Sequence, residues 1–187
     1  MAAPTTIAVQ PATADDTDAL VEAWTALAEE QRQHGSRLLA EPNRNAVREN
    51  LSRRVVLGEA LVARTVDDDR DAASGAEAVE TTVVGTDGFD DGTDLPRGFV
   101  GFVSFGLSAD GFERSVERGV VYNLYVRPDA RSAGVGATLL SAAEAELREA
   151  GADRVTLEAL AANERAVDFY RRHGYGDHRV ELEKRLE

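Results

Sequence analysis

The stretch Val126-Arg127-Pro128-Asp129-Ala130-Arg131-Ser132-Ala133-Gly134-Val135-Gly136-Ala137 decides the reading of this chain. It carries Arg-x-x-Gly-x-Gly at the junction between an apolar strand and an amphipathic helix. The strand reads Val120-Val121-Tyr122-Asn123-Leu124-Tyr125-Val126; the helix reads Thr138-Leu139-Leu140 and runs to about Ala150, with Gly151 as its stop. A helix start offers backbone N–H groups without intrahelical partners and the positive end of the helix dipole. Glycines let that backbone approach a ligand closely. Together they make a seat for a diphosphate. Other nucleotide sites use the same physics, but their patterns fail here. A Rossmann turn needs Gly or Ala at the last place of G-x-G-x-x-G/A, where Leu139 stands, and no G-x-x-x-x-G-K-[ST] string occurs. Taken alone, the junction also fits a strand-to-helix turn that binds nothing.

A second segment follows: Asn163-Glu164-Arg165-Ala166-Val167-Asp168-Phe169-Tyr170-Arg171-Arg172-His173-Gly174-Tyr175. It resembles the N-x-x-A-x-x-F-Y-x-x-x-G-F/Y signature of the GNAT superfamily of acyl-CoA-dependent N-acyltransferases. The preceding Leu124-Tyr125-Val126 and the Arg131-to-Gly136 turn resemble that family's CoA motif, in its order and at its usual separation. The likeness is strong from about Gly98 to Leu186; upstream it rests on element order.

Composition fits one such domain, expected over residues 5–187. The chain of 187 residues is long enough for a single well-buried core. It has no Cys, so disulfides, thiol nucleophiles and cysteine zinc sites are excluded. It has no signal-peptide pattern and no apolar run of about eighteen residues. The expectation is a cytoplasmic protein with no membrane role. Thirty-four acidic residues face twenty-one basic ones, for a net charge of −13, and Lys184 is the only lysine. Such a composition resembles proteins of extreme halophiles, whose self-repulsion molar salt screens; the alternative is an acidic surface serving solubility. Nucleic-acid binding would need a basic face and is disfavoured.

Elsewhere the chain reads as alternating strands and helices. Ile7-Ala8-Val9 is a first strand. Helix-start chemistry at Ala14-Asp15-Asp16-Thr17 precedes Leu20, Trp24, Leu27 and Ala28 at helical spacing, ending near Gly35. A second helix is expected after Pro42, burying Val47, Leu51 and Val55 before Gly58. Ala60–Val66 is a strand. Residues 67–97 read as an acidic loop insertion, with a short strand at Thr82-Val83-Val84. An EF-hand starting at Asp87 fails, because Phe89 and Gly98 occupy ligand positions. Strands follow at Gly98–Gly106, paired with Val120–Val126 across a turn near Ala109-Asp110-Gly111, and at Arg154–Leu160. The motif helix spans about Asn163 to His173. Val180, Leu182 and Lys184 alternate with charges in an expected final strand. The fold class is α/β: a mixed, mostly antiparallel twisted sheet of about six to seven strands flanked by about four helices.

The resemblance implies transfer of an acetyl group from acetyl-CoA to an amine-bearing acceptor, with no metal. The N–H groups of Arg131, Ser132, Ala133, Gly134, Val135, Gly136 and Ala137 would bind the diphosphate. Arg131 would add positive charge and fix the turn. The exposed backbone of Leu124, Tyr125 and Val126 would pair with the pantetheine arm, and the amide of Leu124 or a neighbour would stabilise the thioester oxyanion. Tyr170 stands at the family's general-acid position. Asn163 would help hold the CoA arm, although capping the helix is an equally good use of it. Many relatives place a Glu base where this chain has Asn123, which cannot accept a proton. Glu158 on the adjacent strand is the carboxylate substitute; Tyr122 and ordered water are the others. The family's habit admits a homodimer. His34, His173 and His178 have no metal-ligand spacing, and neither H-E-x-x-H nor G-x-S-x-G occurs. Two other readings stay open: a non-catalytic acyl-CoA-binding sensor or interaction module, favoured by Asn123, and an unrelated nucleotide-binding α/β protein.

Overall fold

The computed structural model of the chain describes residues 5–66, 79–83, 95–108 and 115–186. Most of the acidic stretch expected at 67–97, and the turn near Ala109-Asp110-Gly111, lie outside the described residues. Among the described residues six strands and four α-helices are formed: β1 (Thr5–Pro11), α1 (Thr17–Arg32), α2 (Ala40–Val56), β2 (Ala60–Thr65), β3 (Val79–Val83), β4 (Phe99–Leu107), β5 (Arg118–Val126), α3 (Val135–Glu149), β6 (Arg154–Leu157) and α4 (Glu164–Arg172). The strands lie in one sheet in the order β3-β1-β2-β4-β5-β6. Every neighbouring pair is antiparallel except β5 with β6, which is parallel. This is the mixed, mostly antiparallel α/β architecture expected from the sequence.

Both faces of the central strands are buried, so β4 reads as a nearly unbroken apolar run. Phe99 and Phe102 face one core, with Val62 and Tyr125 from their neighbours; Leu20, Val21, Trp24 and Leu51 of α1 and α2 cover it. Val103 and Val121 face the other, under Leu139, Leu140, Ala143 and Leu147 of α3. Each fully buried leucine stabilises the fold by about 2 kcal/mol against exposure. Trp24 is a core residue, as its helical spacing implied. Gly101 lets β4 and β5 come together: a Cβ there would lie 2.4 Å from the Tyr125 carbonyl oxygen.

Three elements differ from expectation. α2 begins at Ala40 rather than after Pro42. Proline is tolerated there because first-turn N–H groups have no intrahelical partner to lose. The short strand in the acidic stretch is Val79–Val83, added outside β1; Val84 lies outside the described residues. The final strand expected around Val180, Leu182 and Lys184 is not formed: residues 175–186 carry no strand. Val180 is 80% and Leu182 90% exposed. Alternation in that segment finds no face to bury, and alternation alone does not supply a pairing partner.

Candidate active site

The sheet opens beside β5. Parallel pairing with β6 runs from Arg118↔Arg154 to Val121↔Leu157 and stops, because β6 ends there. On its other edge β5 continues to pair with β4 as far as Val126. The β6-facing edge of Tyr122–Val126 therefore has no strand partner among the described residues. The β4–β5 register also shifts at this point. Ser104 faces Asn123 and Phe105 faces Val121, so Tyr122 is an extra residue in a bulge. Bulges re-aim side chains and backbone at such places. Leu124 and Val126 are half-buried, whereas the Tyr125 side chain is in the core, so only its backbone reaches the open edge.

The turn after β5 enters α3 through Gly134, whose φ of 92° is left-handed; this is the glycine the turn needs. Ser132 adopts φ 67° two residues earlier. The first α3 bond from the turn is Thr138 N–H to the Gly134 carbonyl at 3.1 Å. The N–H groups of Ser132 through Ala137 donate to no protein acceptor among the described residues. Those donors lie at the positive end of a helix of 15 residues.

Arg131 is engaged by the protein itself. Its two terminal nitrogens donate to the two carboxylate oxygens of Glu30 at 2.6 and 2.5 Å, and its Nε donates to the Val126 carbonyl at 2.9 Å. Arg131 thus ties the turn to the end of β5 and to α1, and a carboxylate of α1 stands against its charge. Glu30 lies in the last turn of its helix, where the dipole disfavours an acid, and Arg131 offsets that. Neither motif points to Glu30, which is 101 positions away.

α4 packs along the same opening. Asn163 is its N-cap, its side-chain oxygen accepting from Ala166 N–H at 3.1 Å. Phe169 reaches Gly136 and Val126, lying 3.5 Å from where a Cβ on Gly136 would stand. Tyr170 packs edge-on against Phe169 and Tyr175, with ring centroids 5.2 and 5.9 Å away. Burial pushes its phenol up to about 12. Its hydroxyl makes no hydrogen bond among the described residues. Tyr175 is different: its hydroxyl donates to Glu144 at 2.7 Å, and burial, then Glu144, raise it.

The candidate bases are spread out. Asn123 donates its side-chain N–H to the hydroxyl of buried Ser104 at 2.8 Å. Glu158 follows the last residue of β6, is exposed, and forms no hydrogen bond or ion pair with the other candidates. Tyr122 is half-exposed beneath Arg54, whose guanidinium carbon sits 3.7 Å from the ring centroid. Arg54 also donates to Glu59 at 3.0 Å and to the Phe105 carbonyl at 2.7 Å. The end of α2 thus closes one side of the bulge, with a polar set that no local pattern signalled.

The fold is shared with solved structures. The chain aligns with a GCN5-related N-acetyltransferase from Ralstonia eutropha at a TM-score of 0.64 and 20% identity, covering 96% of this chain and 98% of that one. It aligns with an aminoglycoside acetyltransferase from an uncultured soil metagenomic sample, in complex with sisomicin, at 0.56 and 14%, covering 97% of both. The chain belongs to the Acetyltransferase (GNAT) family, whose model matches residues 62–175. It is also 45% identical over 58 residues to the mycothiol acetyltransferase of Propionibacterium freudenreichii subsp. shermanii. That match covers 31% of this chain and 19% of the relative's length.

Proposed function

We propose that this acetyltransferase-family protein, read over residues 5–187 as one catalytic domain, moves an acetyl group from acetyl-CoA directly to an amine-bearing acceptor, a small molecule or a protein amine. The observation that carries the reading is the coincidence of two unsatisfied backbone surfaces. The free N–H groups of Ser132–Ala137 suit a diphosphate. The open edge of Tyr122–Val126 suits the amide-bearing pantetheine arm, which can add to it like a strand. Three residues along the same opening, Phe169, Val126 and Gly136, bring α4 and Tyr170 to it.

In this reading the amine attacks the thioester carbon and the amide of Leu124 or its neighbour steadies the oxyanion. The carbon–sulfur bond then breaks. Tyr170, protonated at neutral pH as a phenol is, gives its proton to the departing thiolate, and the amine's proton leaves through Glu158 or water. Asn163 holds the start of α4 against the arm. The −13 charge favours a cationic amine over nucleic acid and suits a cytoplasm rich in salt. Among the described residues no helix is long and apolar enough to cross a membrane.

The test is turnover across a broad amine panel, with Tyr170→Phe alongside. The variant should lose about a hundredfold or more in kcat while its acetyl-CoA affinity changes less than about twofold. Asn123, an amide where a carboxylate base is expected, favours one other reading, a non-catalytic acyl-CoA sensor. Tight acetyl-CoA binding with no turnover on any amine would support that reading instead.

A further inference from the structure

Three arginines surround the turn that leads into α3, and two are already committed. Arg127 is 2% exposed and has the Asp129 carboxylate among its partners, at 3.3 and 3.4 Å. Arg131 is fully engaged by Glu30 and the Val126 carbonyl. The third is Arg165, in the first turn of α4. It is exposed, and its one hydrogen bond among the described residues is from Nη2 to the Ser132 hydroxyl, at 3.5 Å. Glu164 and Asp168 lie on the same helix, yet neither forms an ion pair with it among the described residues.

Ser132 is the left-handed residue that begins the run of free N–H groups. Arg165 therefore reaches the start of the anion seat from α4, with no carboxylate paired to it among the described residues. A dianionic diphosphate brought to a protein of net charge −13 needs a local cation, because the long-range field opposes it. We infer that Arg165 is the residue that neutralises the cofactor's diphosphate, clamping it between α4 and the Ser132–Ala137 amides; the inference rests on the acetyl-CoA reading above. Its guanidinium fork matches two phosphate oxygens at once. Bound diphosphate would then add a bridge between α4 and the turn before α3, where Arg165 and Ser132 share one long hydrogen bond.

The test is calorimetric titration of acetyl-CoA and of 3′-dephospho-acetyl-CoA into the wild type, Arg165→Gln and Arg165→Lys, all at one KCl concentration. Arg165→Gln should weaken both ligands equally, by about tenfold or more, and Arg165→Lys should recover part of the loss. Thermal melts that overlay would show that all three proteins are folded alike. Unchanged affinity in Arg165→Gln would overturn the inference. So would a loss confined to acetyl-CoA, which would place Arg165 on the 3′-phosphate. A wild type that binds neither ligand would instead overturn the acetyl-CoA reading itself, before any variant is compared.

Discussion

Arg131 grips Glu30 with both prongs of its guanidinium, at 2.6 and 2.5 Å, and so fastens the turn before α3 to the last turn of α1. The two halves of the chain that line the site are held together here by one ion pair. The pair is partly exposed, with 21% of the Arg131 side chain and 34% of the Glu30 side chain open to solvent. Its contribution is accordingly modest. A double-mutant cycle of Glu30→Gln and Arg131→Gln, read from urea midpoints, should give a coupling energy of about 1 kcal/mol. Strictly additive losses would mean that the fork does not hold the turn.

The two glycines of the turn have different jobs. Gly134 supplies a left-handed backbone, φ 92°, so Gly134→Ala should cost about 1–2 kcal/mol. It should also weaken acetyl-CoA, because the free N–H groups would tilt. At Gly136 a Cβ would only touch Phe169 and Val126, at 3.5 and 3.6 Å. Gly136→Ala should therefore leave the melting temperature nearly unchanged. Equal effects of the two variants would contradict this division.

Tyr170 sets a pH expectation. Its folded-state value is about 12, against 10 for a free phenol. Between these values the native state keeps a proton that the unfolded chain releases. The stability this provides is complete below about pH 10 and is lost as the pH climbs to about 12. Alkaline titration followed by tyrosinate absorbance should show late-ionising phenols, and Tyr170→Phe should remove one of them. Loss of a phenol that titrates normally would place Tyr170 in solvent.

Salt should stabilise the chain. With 34 acidic against 21 basic residues, self-repulsion works against the compact state and falls as the Debye length shortens to about 3 Å near molar salt. The melting temperature should rise steadily from low to molar KCl. A flat or falling profile would leave the acidic composition as a solubility feature alone.

How much of this was legible in the sequence depended on the range of the interaction. The strand, turn and helix from Val120 to Ala150 were readable because apolar runs and punctuating glycines act locally. The cap at Asn163 was readable for the same reason. Glu30 was not, since nothing near Arg131 says which helix end will face it 101 residues away. Nor was the spare charge on Arg165, which is visible only once Arg127 and Arg131 are seen to be engaged. The opposite error came at Val180 and Leu182: alternation promised a strand, but a strand also needs a paired edge and a face to bury. The general base stays the least legible part, because Asn123 is committed to Ser104 and Glu158 stands apart.

The most direct measurement is calorimetric titration of acetyl-CoA into the protein in molar KCl, with CoA and ATP as comparison ligands. The account predicts micromolar binding that is selective for CoA thioester and CoA over ATP. A folded protein that binds none of them, or ATP equally well, would contradict it and leave the turn from Arg131 to Gly136 as a structural loop.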